Sequence, residues 1–262
     1  MRMSVSSSKI HISVSQLKSR ANCSRLHWFQ KVGQVPSTKE KKGADRGKQL
    51  HSFLETYLTT PICEDLIPNG FYDFMSKTEY GVDDSNTRHG IRSADLNPTL
   101  LRLRKIAHEP NSNVKILVEQ EFKMSPVFVG YVDLIVLDRR SGDLRVTIFD
   151  HKFIADKRSM LTLESARTDF QTVVYAKALM TYYNLDTIAF QYDYYGTKYK
   201  WYESVRVEYT KEELDSLWPR VLNEVELTLD NYKVPSADKA IPNFLSCGMY
   251  GGCDYKEHCF KQ

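Results

Sequence analysis

Two apolar runs separated by a short polar segment stand at the centre of the chain. Residues 127–137 and 144–153 are rich in Val, Ile, Leu and Phe, and the segment between them contains Gly142 among polar neighbours. Apolar runs of this length and composition are typical of strands, and a short connection that contains glycine is typical of a hairpin turn. The pattern therefore predicts a β-hairpin over residues 127–153.

Three charged residues interrupt this otherwise apolar hairpin. Because successive side chains of a strand point to opposite faces, Asp150 and Lys152 are expected to share a face. Asp133, near the middle of the preceding strand, lies close to them if the register allows. Two carboxylates and an ammonium group are costly to bury unless a ligand compensates them, and a divalent cation would do so. A surface salt bridge on the hairpin edge is the simpler interpretation, and for an isolated Asp-x-Lys pair it is the better one.

The rest of the pattern predicts further helices and strands on both sides of the hairpin. Residues 60–98 are interrupted by Pro and Gly, and they are interpreted as an insertion over one side of the site. The other predicted elements are a helix over 13–30, a basic linker over 31–43, a helix over 44–58, a short basic helix over 99–108, a strand over 114–123, a helix over 165–183, strands over 187–195 and 200–208, and a helix over 210–230.

Several polar and aromatic residues outside the hairpin allow two interpretations. His51 and Glu55 stand four apart on a predicted helix and share a face, where a single His is usually a packed or surface residue rather than a ligand. Glu119 or Glu121 either adds a carboxylate to the site or belongs to an exposed strand face. Aromatic residues of the last two strands either stack nucleic-acid bases or form an ordinary hairpin; they are Tyr192, Tyr194, Tyr195, Tyr199, Trp201 and Tyr202.

Composition limits the class of protein without deciding its function. The chain has 262 residues, of which 42% are hydrophobic and 26% charged, and its formal net charge is +3. These values are ordinary for a soluble protein of one or two domains, and the charge is a weak indication of a polyanionic partner. No apolar run is long enough to span a membrane, and the polar first eight residues lack the apolar core of a secretory signal. A cytoplasmic protein with no membrane partner is therefore expected.

Four short motifs follow one another along the chain: Gly47-Lys-Gln-Leu-His51, Gly130-Tyr-Val-Asp133, Asp150-His-Lys152 and Gln171-Thr-Val-Val-Tyr175. Each motif is weak alone, but their order and the elements that contain them resemble the RecB family of nucleases in the PD-(D/E)XK superfamily. The resemblance covers most of the chain, from Val14 to Cys259. It implies an α/β fold in which a mixed central sheet is flanked by helices.

The resemblance also implies a metal site. A divalent cation would be bound by His51, Asp133, Asp150 and the backbone carbonyl of His151. Oxygen ligands suit both Mg²⁺ and Mn²⁺, and an imidazole ligand tilts the site toward Mn²⁺. Either ion is therefore the expected cofactor.

Three further residues have roles implied by the resemblance. Lys152 is expected to orient or help deprotonate the attacking water and to offset charge that builds on the phosphate. Gln171 and Tyr175 would position the scissile phosphate or Lys152, and simple packing on the helix surface is the alternative for both. Asp150 stands where many of these enzymes have Glu, a change that the family pattern accommodates.

Five cysteines in an intracellular protein are not expected to form disulfides, so their distribution needs another explanation. One near the start and three near the end resemble the iron–sulfur branch of the family, which implies one [4Fe–4S] cluster bound by Cys23, Cys247, Cys253 and Cys259. Structural zinc is the alternative for four thiolates. The last three cysteines are separated by two gaps of five residues, whereas the better-known pattern has a first gap of two. Cys63 is interpreted as a free thiol.

The resemblance predicts three parts of the chain. Residues 1–43 would form a helical arm and linker with the first cluster cysteine, and residues 44–232 the nuclease core with its insertion. Residues 233–262 would form a cysteine tail that closes the cluster, so that the two ends of the chain make one lobe.

The implied function is hydrolysis of DNA phosphodiester bonds, most simply by an exonuclease that acts on single-stranded ends. The branch includes exonucleases of CRISPR adaptation, nuclease domains of bacterial helicase–nucleases and phage-encoded relatives. A second hypothesis is a DNA-end-binding adaptor with protein partners in a recombination, repair or CRISPR-type complex. The intact Asp133, Asp150 and Lys152 argue against it, because a pure adaptor needs none of them. A third hypothesis is a zinc-stabilised nucleic-acid-binding protein in which the Asp-x-Lys is accidental.

Overall fold

The computed structural model of the chain describes residues 10–37, 51, 55, 58–59, 105–106, 108, 113–125, 128–154, 156–196 and 201–260. The predicted insertion at 60–98 lies outside this part, as do most of the predicted helices over 44–58 and 99–108. None of the described helices is long and apolar enough to cross a membrane.

A five-stranded mixed sheet forms the centre of the described structure. Its strands follow the sequence order across the sheet and are β1 (Val114–Ser125), β2 (Phe128–Asp138), β3 (Arg145–Ile154), β4 (Thr187–Gly196) and β5 (Tyr202–Thr210). Strands β3 and β4 are parallel, and the other neighbouring pairs are antiparallel. The predicted hairpin and the mixed sheet are both present.

The β2–β3 hairpin sets the position of the charged residues. Its register pairs Asp138 with Arg145 and Leu134 with Phe149. Gly142 has a φ of +95°, a backbone conformation that glycine adopts more readily than other residues, and it lies in the turn. Continuing the register by one residue brings Asp133 beside Asp150, just beyond the last paired positions.

Helices precede the sheet, connect β3 to β4 and follow β5. They are α1 (Val14–Asn22), α2 (Ser24–His27), α3 (Leu163–Thr168), α4 (Phe170–Tyr183), α5 (Lys211–Tyr232) and α6 (Lys256–Phe260), with a π-helical turn over Trp28–Val32 and 3₁₀ turns over Lys157–Ser159, Ala237–Lys239 and Phe244–Gly251. A capping box begins α5, because the side chains of Thr210 and Glu213 each bond the backbone of the other.

Two predicted helices are each divided in the structure. The first is broken at Cys23, whose extended backbone ends α1 and begins α2, so Cys23 does not lie within a helix. The second is broken at Asp169, whose carboxylate accepts a hydrogen bond from the Gln171 amide and caps α4. The second break fixes where Gln171 and Tyr175 project from the start of α4.

Both faces of the sheet are covered by apolar residues. The larger core contains Leu17 of α1, Val174 and Leu179 of α4, and Ile148 and Phe190 of the sheet. A smaller cluster on the other face includes Leu58, Leu134, Val136 and Phe149. Asp150 has the same strand parity as Ile148, so it lies on the α4 face.

The aromatic residues of β4 belong to the protein interior. Tyr192, Tyr194 and Tyr195 are all buried. A side chain with no exposed face has no surface on which to stack a nucleic-acid base, so the packing interpretation holds for these three. Tyr199 lies outside the described residues.

Candidate active site and metal centre

Asp133, Asp150 and Lys152 converge where β2 and β3 end their pairing. Lys152 Nζ lies 2.7 Å from Asp150 Oδ2, and the side chains of Asp150 and Lys152 are 3% and 36% exposed. Asp133 accepts a 3.0 Å hydrogen bond from the backbone amide of His151. Asp150 Oδ2 is thus a buried oxygen whose charge partner is the Lys152 ammonium group.

The two carboxylates strongly affect each other and the lysine. Burial, together with the negative charge of Asp150, raises the pKa of Asp133 from 3.8 to about 7, although His51 and Lys152 oppose the rise. Burial alone would lower the pKa of Lys152, but the charges of Asp150 and Asp133 outweigh burial and raise it. The site thus concentrates negative charge that one lysine does not neutralise, which is the electrostatic setting a divalent cation needs.

His51 brings an imidazole to this group from a helical residue far earlier in the chain. Its Nδ1 lies 3.4 Å from Asp133 Oδ1. Burial lowers the pKa of His51, but Glu119, Asp133 and Asp150 together raise it above its usual value. His51 thus contacts Asp133 and senses the charge of Asp150, but among the described residues the ligand atoms within 4.8 Å of one another belong to His51, Asp133 and Glu119. Glu55, four residues after His51, is exposed.

The two glutamates of β1 differ in position. Glu119 Oε1 lies 3.3 Å from His51 Nδ1, and Glu119, His51 and Asp133 offer ligand atoms that all lie within 4.8 Å of one another. Glu121 is exposed and instead accepts a 3.4 Å hydrogen bond from the Tyr131 hydroxyl. Of the two interpretations left open by the sequence, the site position applies to Glu119 and the exposed face to Glu121.

The side chain of His151 points away from the site. It is buried beside Tyr195 and Asp193, with its Nδ1 3.4 Å from the Tyr195 hydroxyl and 3.7 Å from Asp193 Oδ2. Burial, with the positive charges of His51 and Lys152, lowers the pKa of His151 to about 3, so the ring is neutral. The contact of His151 with Asp133 is made by its backbone amide, and its imidazole is directed toward Tyr195 and Asp193.

Gln171 joins the site to the N-terminal helix. Its Nε2 donates a 2.5 Å hydrogen bond to Asp150 Oδ1, and its Oε1 accepts a 3.3 Å bond from Lys18 on α1. Lys18 also forms a 2.8 Å ion pair with Asp169. Gln171 therefore positions Asp150 rather than Lys152. Sequence reasoning missed Lys18, because a contact between residues 153 positions apart leaves no local pattern.

Tyr175 is buried against the glycine of the second motif. A Cβ at Gly130 would lie 2.6 Å from Tyr175 Cε1, so only glycine leaves room for the ring. Burial, followed by the charges of Asp150 and Asp133, raises the pKa of Tyr175, while the Tyr131 backbone amide opposes this rise. The structure thus explains the glycine and places the Tyr175 hydroxyl beside the carboxylates.

Tyr175→Phe is expected to slow DNA cleavage with a small effect on stability. The substitution keeps the ring packed on Gly130 and removes one hydroxyl, which is worth roughly 0.5–1.5 kcal/mol. The expected fall in kcat is therefore about 2- to 12-fold, with a change in melting temperature below about 4 °C. Gly130→Ala is the contrasting variant, because its methyl group displaces the Tyr175 ring and should lower both kcat and the melting temperature. Full activity with reduced stability in Tyr175→Phe would show that the hydroxyl is structural.

The four cysteines that were predicted to bind the cluster lie in one region, although they come from opposite ends of the chain. Burial raises the pKa of Cys247, and the nearby Cys253, Cys259 and Cys23 add to the rise. All four are free thiols of intermediate exposure. Phe29 stacks on Tyr255 in the same region, with ring centroids 5.4 Å apart. Cys63 lies outside the described residues.

Three of these sulfurs accept hydrogen bonds. The Asn243 amide donates to Cys23 Sγ at 3.3 Å, the Tyr255 amide to Cys253 Sγ at 3.5 Å, and Arg25 to Cys259 Sγ at 3.5 Å. Such bonds favour the thiolate form of cysteine. At Cys253 burial outweighs the bond from the Tyr255 amide, and the pKa of that thiol is raised.

A family model for the PD-(D/E)XK nuclease superfamily matches residues 11–260. The chain belongs to the PD-(D/E)XK nuclease superfamily. The α/β fold and the superfamily predicted from the motifs are confirmed. The RecB family and its iron–sulfur branch remain predictions. No curated protein matches the sequence of this superfamily member.

A solved structure agrees with this fold: a candidate exonuclease from Eubacterium rectale has a TM-score of 0.54 at 13% identity, and the match covers 100% of this chain and 94% of that one. Two more distant matches are SSO0001 and a phage-related exonuclease from Haemophilus somnus. SSO0001 has a TM-score of 0.41 at 12% identity, covering 98% of this chain and 88% of that one. The phage-related exonuclease has a TM-score of 0.34 at 12% identity, covering 86% of this chain and 94% of that one.

Proposed function

We propose that this protein is a divalent-cation-dependent DNA nuclease of the iron–sulfur branch of the RecB family, and that it acts as an exonuclease on single-stranded ends. The observation that carries the proposal is the convergence of the Asp133 and Asp150 carboxylates with Lys152 and the His51 imidazole where β2 and β3 end their pairing. Carboxylate oxygens and an imidazole are ligand types that a divalent cation takes in proteins.

The residues present fit Mg²⁺ or Mn²⁺. His51, Asp133, Asp150 and the backbone carbonyl of His151 would hold the ion, a set dominated by oxygen with one imidazole. When bound, the cation lowers the pKa of water and polarises the phosphate. The chain itself orients two of the ligands, because the His151 amide bonds Asp133 and Gln171 bonds Asp150.

Lys152 would act on the water and on the phosphate. The charges of Asp150 and Asp133 raise the pKa of Lys152, so its ammonium group stays protonated. It can therefore stabilise negative charge that develops in the transition state. Beside a bound cation, which would take up part of that negative charge, Lys152 would have a less raised pKa and could more readily accept a proton from water. The two roles suggested by the sequence thus follow from one electrostatic arrangement.

The cysteine region is proposed to bind one [4Fe–4S] cluster. The four cysteines and the hydrogen bonds to three of their sulfurs support a metal or cluster site. The role of the cluster would be to join the two ends of the chain.

Linear DNA labelled at one end, together with internally labelled circular DNA, distinguishes the parts of this proposal. Anaerobically prepared protein with Mg²⁺ or Mn²⁺ is expected to shorten linear single-stranded DNA progressively, to leave circular single strands intact and to act slowly on blunt duplexes. The candidate exonuclease from E. rectale, which has a similar fold, supports the exonuclease part of the proposal. Cleavage of the circle would indicate an endonuclease. End binding without cleavage in either metal would favour the adaptor hypothesis and overturn the proposed enzyme.

A further inference from the structure

Glu119 has an unusual backbone conformation for the middle of a strand. Its neighbours Val118 and Gln120 pair with Leu134 and Val132, which places Glu119 opposite Asp133, but Glu119 itself is not a paired position. Its φ is +47°, in the left-handed region that residues other than glycine seldom adopt. The strand therefore departs from regular pairing at the one residue that faces Asp133.

The carboxylate of Glu119 approaches the same imidazole nitrogen as Asp133. His51 Nδ1 is 3.3 Å from Glu119 Oε1 and 3.4 Å from Asp133 Oδ1. A carboxylate that only orients a metal-bound imidazole contacts the ring nitrogen that faces away from the metal. Because both carboxylates face Nδ1, the three atoms surround one point instead of forming a chain.

The distances suit a cation at that point. For ligands about 2.1–2.2 Å from an octahedral ion, neighbouring ligand atoms lie about 3.0 Å apart and opposite atoms a little over 4 Å. The two distances to Nδ1 are slightly longer than the first value, and all three atoms lie within 4.8 Å. Glu119 is also 32% exposed, so a hydrated ion can reach it.

We propose that Glu119 is a further direct ligand of the bound cation. This inference rests on the cation site of the proposed nuclease and adds one ligand to the set implied by the family resemblance. A third carboxylate makes the site harder and more negative, which favours Mg²⁺ and Mn²⁺. Glu119 would thus set the affinity of the site for its ion, with Asp150 held at the other side by Gln171.

Mn²⁺ binding measured by calorimetry without DNA tests the proposal directly. Glu119→Gln keeps the length of the side chain and a hydrogen-bond acceptor for His51 but removes the anionic oxygen, so a loss of affinity of at least about tenfold is expected. Glu121→Gln is the matched control, since it removes the same charge two residues along β1 from an exposed side chain, and its affinity should stay within about twofold of wild type. Equal losses in the two variants would indicate a general charge effect and overturn the proposal.

Two further variants separate a ligand from alternative roles. Glu119→Gly suits the positive φ, so it should lose Mn²⁺ affinity while melting no lower than wild type. In a His51→Ala background, Glu119→Gln should still weaken Mn²⁺ binding if Glu119 touches the ion. No additional loss in that background would show that Glu119 acts only through His51 and would overturn the assignment.

The binding measurement is independent of cleavage. Wild-type protein that binds Mn²⁺ in a Glu119-dependent manner but cleaves no DNA would contradict the nuclease and leave the ligand assignment standing. Protein that cleaves DNA normally while Glu119→Gln binds Mn²⁺ as wild type does would contradict the ligand assignment alone.

Discussion

Asp133→Asn, Asp150→Asn and Lys152→Met are each expected to reduce DNA cleavage by at least about 100-fold. The two carboxylates would hold the cation, and Lys152 would stabilise charge on the phosphate, so each change removes several kcal/mol of transition-state stabilisation. The measurement is single-turnover cleavage of end-labelled DNA at saturating Mg²⁺ or Mn²⁺. The spatial convergence of the three residues at the end of the β2–β3 pairing is the reason to expect similar losses.

The fold should survive the loss of Asp133, and stability measurements can show this. The pKa of Asp133 is raised from 3.8 to about 7 in the folded protein, so its carboxyl stays protonated on folding at pH values where the unfolded chain has lost the proton. The stability from this group is complete below pH 4 and is lost as the pH rises through 7. In chelator at pH 8, Asp133→Asn should therefore melt at least about 3 °C above wild type, and the gain should shrink at pH 5.

Asp143→Asn is the matched control for the cleavage experiment. It removes a carboxylate from the exposed turn of the same hairpin, so it tests the loss of charge without touching the site. Its cleavage rate should stay within about twofold of wild type. Wild-type cleavage by Asp150→Asn, or an equal loss in Asp143→Asn, would show that the assigned residues do not form the active site.

The hairpin could be predicted from the sequence because its information is local. Apolar runs define the two strands, and Gly142 supplies the turn. The register that brings Asp133 beside Asp150 was left open by the sequence and is given by the structure. The interruption of the first helix at Cys23 was not predictable in this way. The apolar positions of α1 and α2 continue across it, and the helix ends there through contacts with the distant C-terminal tail, such as the Asn243 amide on Cys23 Sγ.

The site shows the same division between local and distant information. The ligand candidates His51, Asp133 and Asp150 come from short motifs, but Glu119 and Glu121 are the same residue type with the same parity on one strand. Only the positive φ at Glu119, produced by the folded surroundings, separates them. Lys18 is a similar case, because its contact with Gln171 depends on how α1 packs against α4.

The cysteine region should contain about four irons per chain, and Cys247→Ser should abolish this content. The wild-type protein prepared without oxygen is expected to be brown, with absorbance near 400 nm, as four thiolates bind one [4Fe–4S] cluster. Cys63→Ser is the control and should keep both colour and iron. Iron and zinc analysis of the three proteins measures the outcome directly.

The expected effect of Cys247→Ser on stability is large because the cluster would close a very long loop. Cys23 and Asn243, which already touch, are 220 residues apart in sequence, and closing a loop of more than 100 residues restricts the unfolded chain by roughly 4–5 kcal/mol in the chain-entropy model. A fall in melting temperature of about 10 °C is expected for a chain of this size. Arg25 and the Phe29–Tyr255 stack still connect the two ends of the chain without the cluster, so the nuclease core should remain folded. Colourless wild-type protein with one zinc per chain would overturn the cluster and leave the proposed metal-dependent nuclease intact.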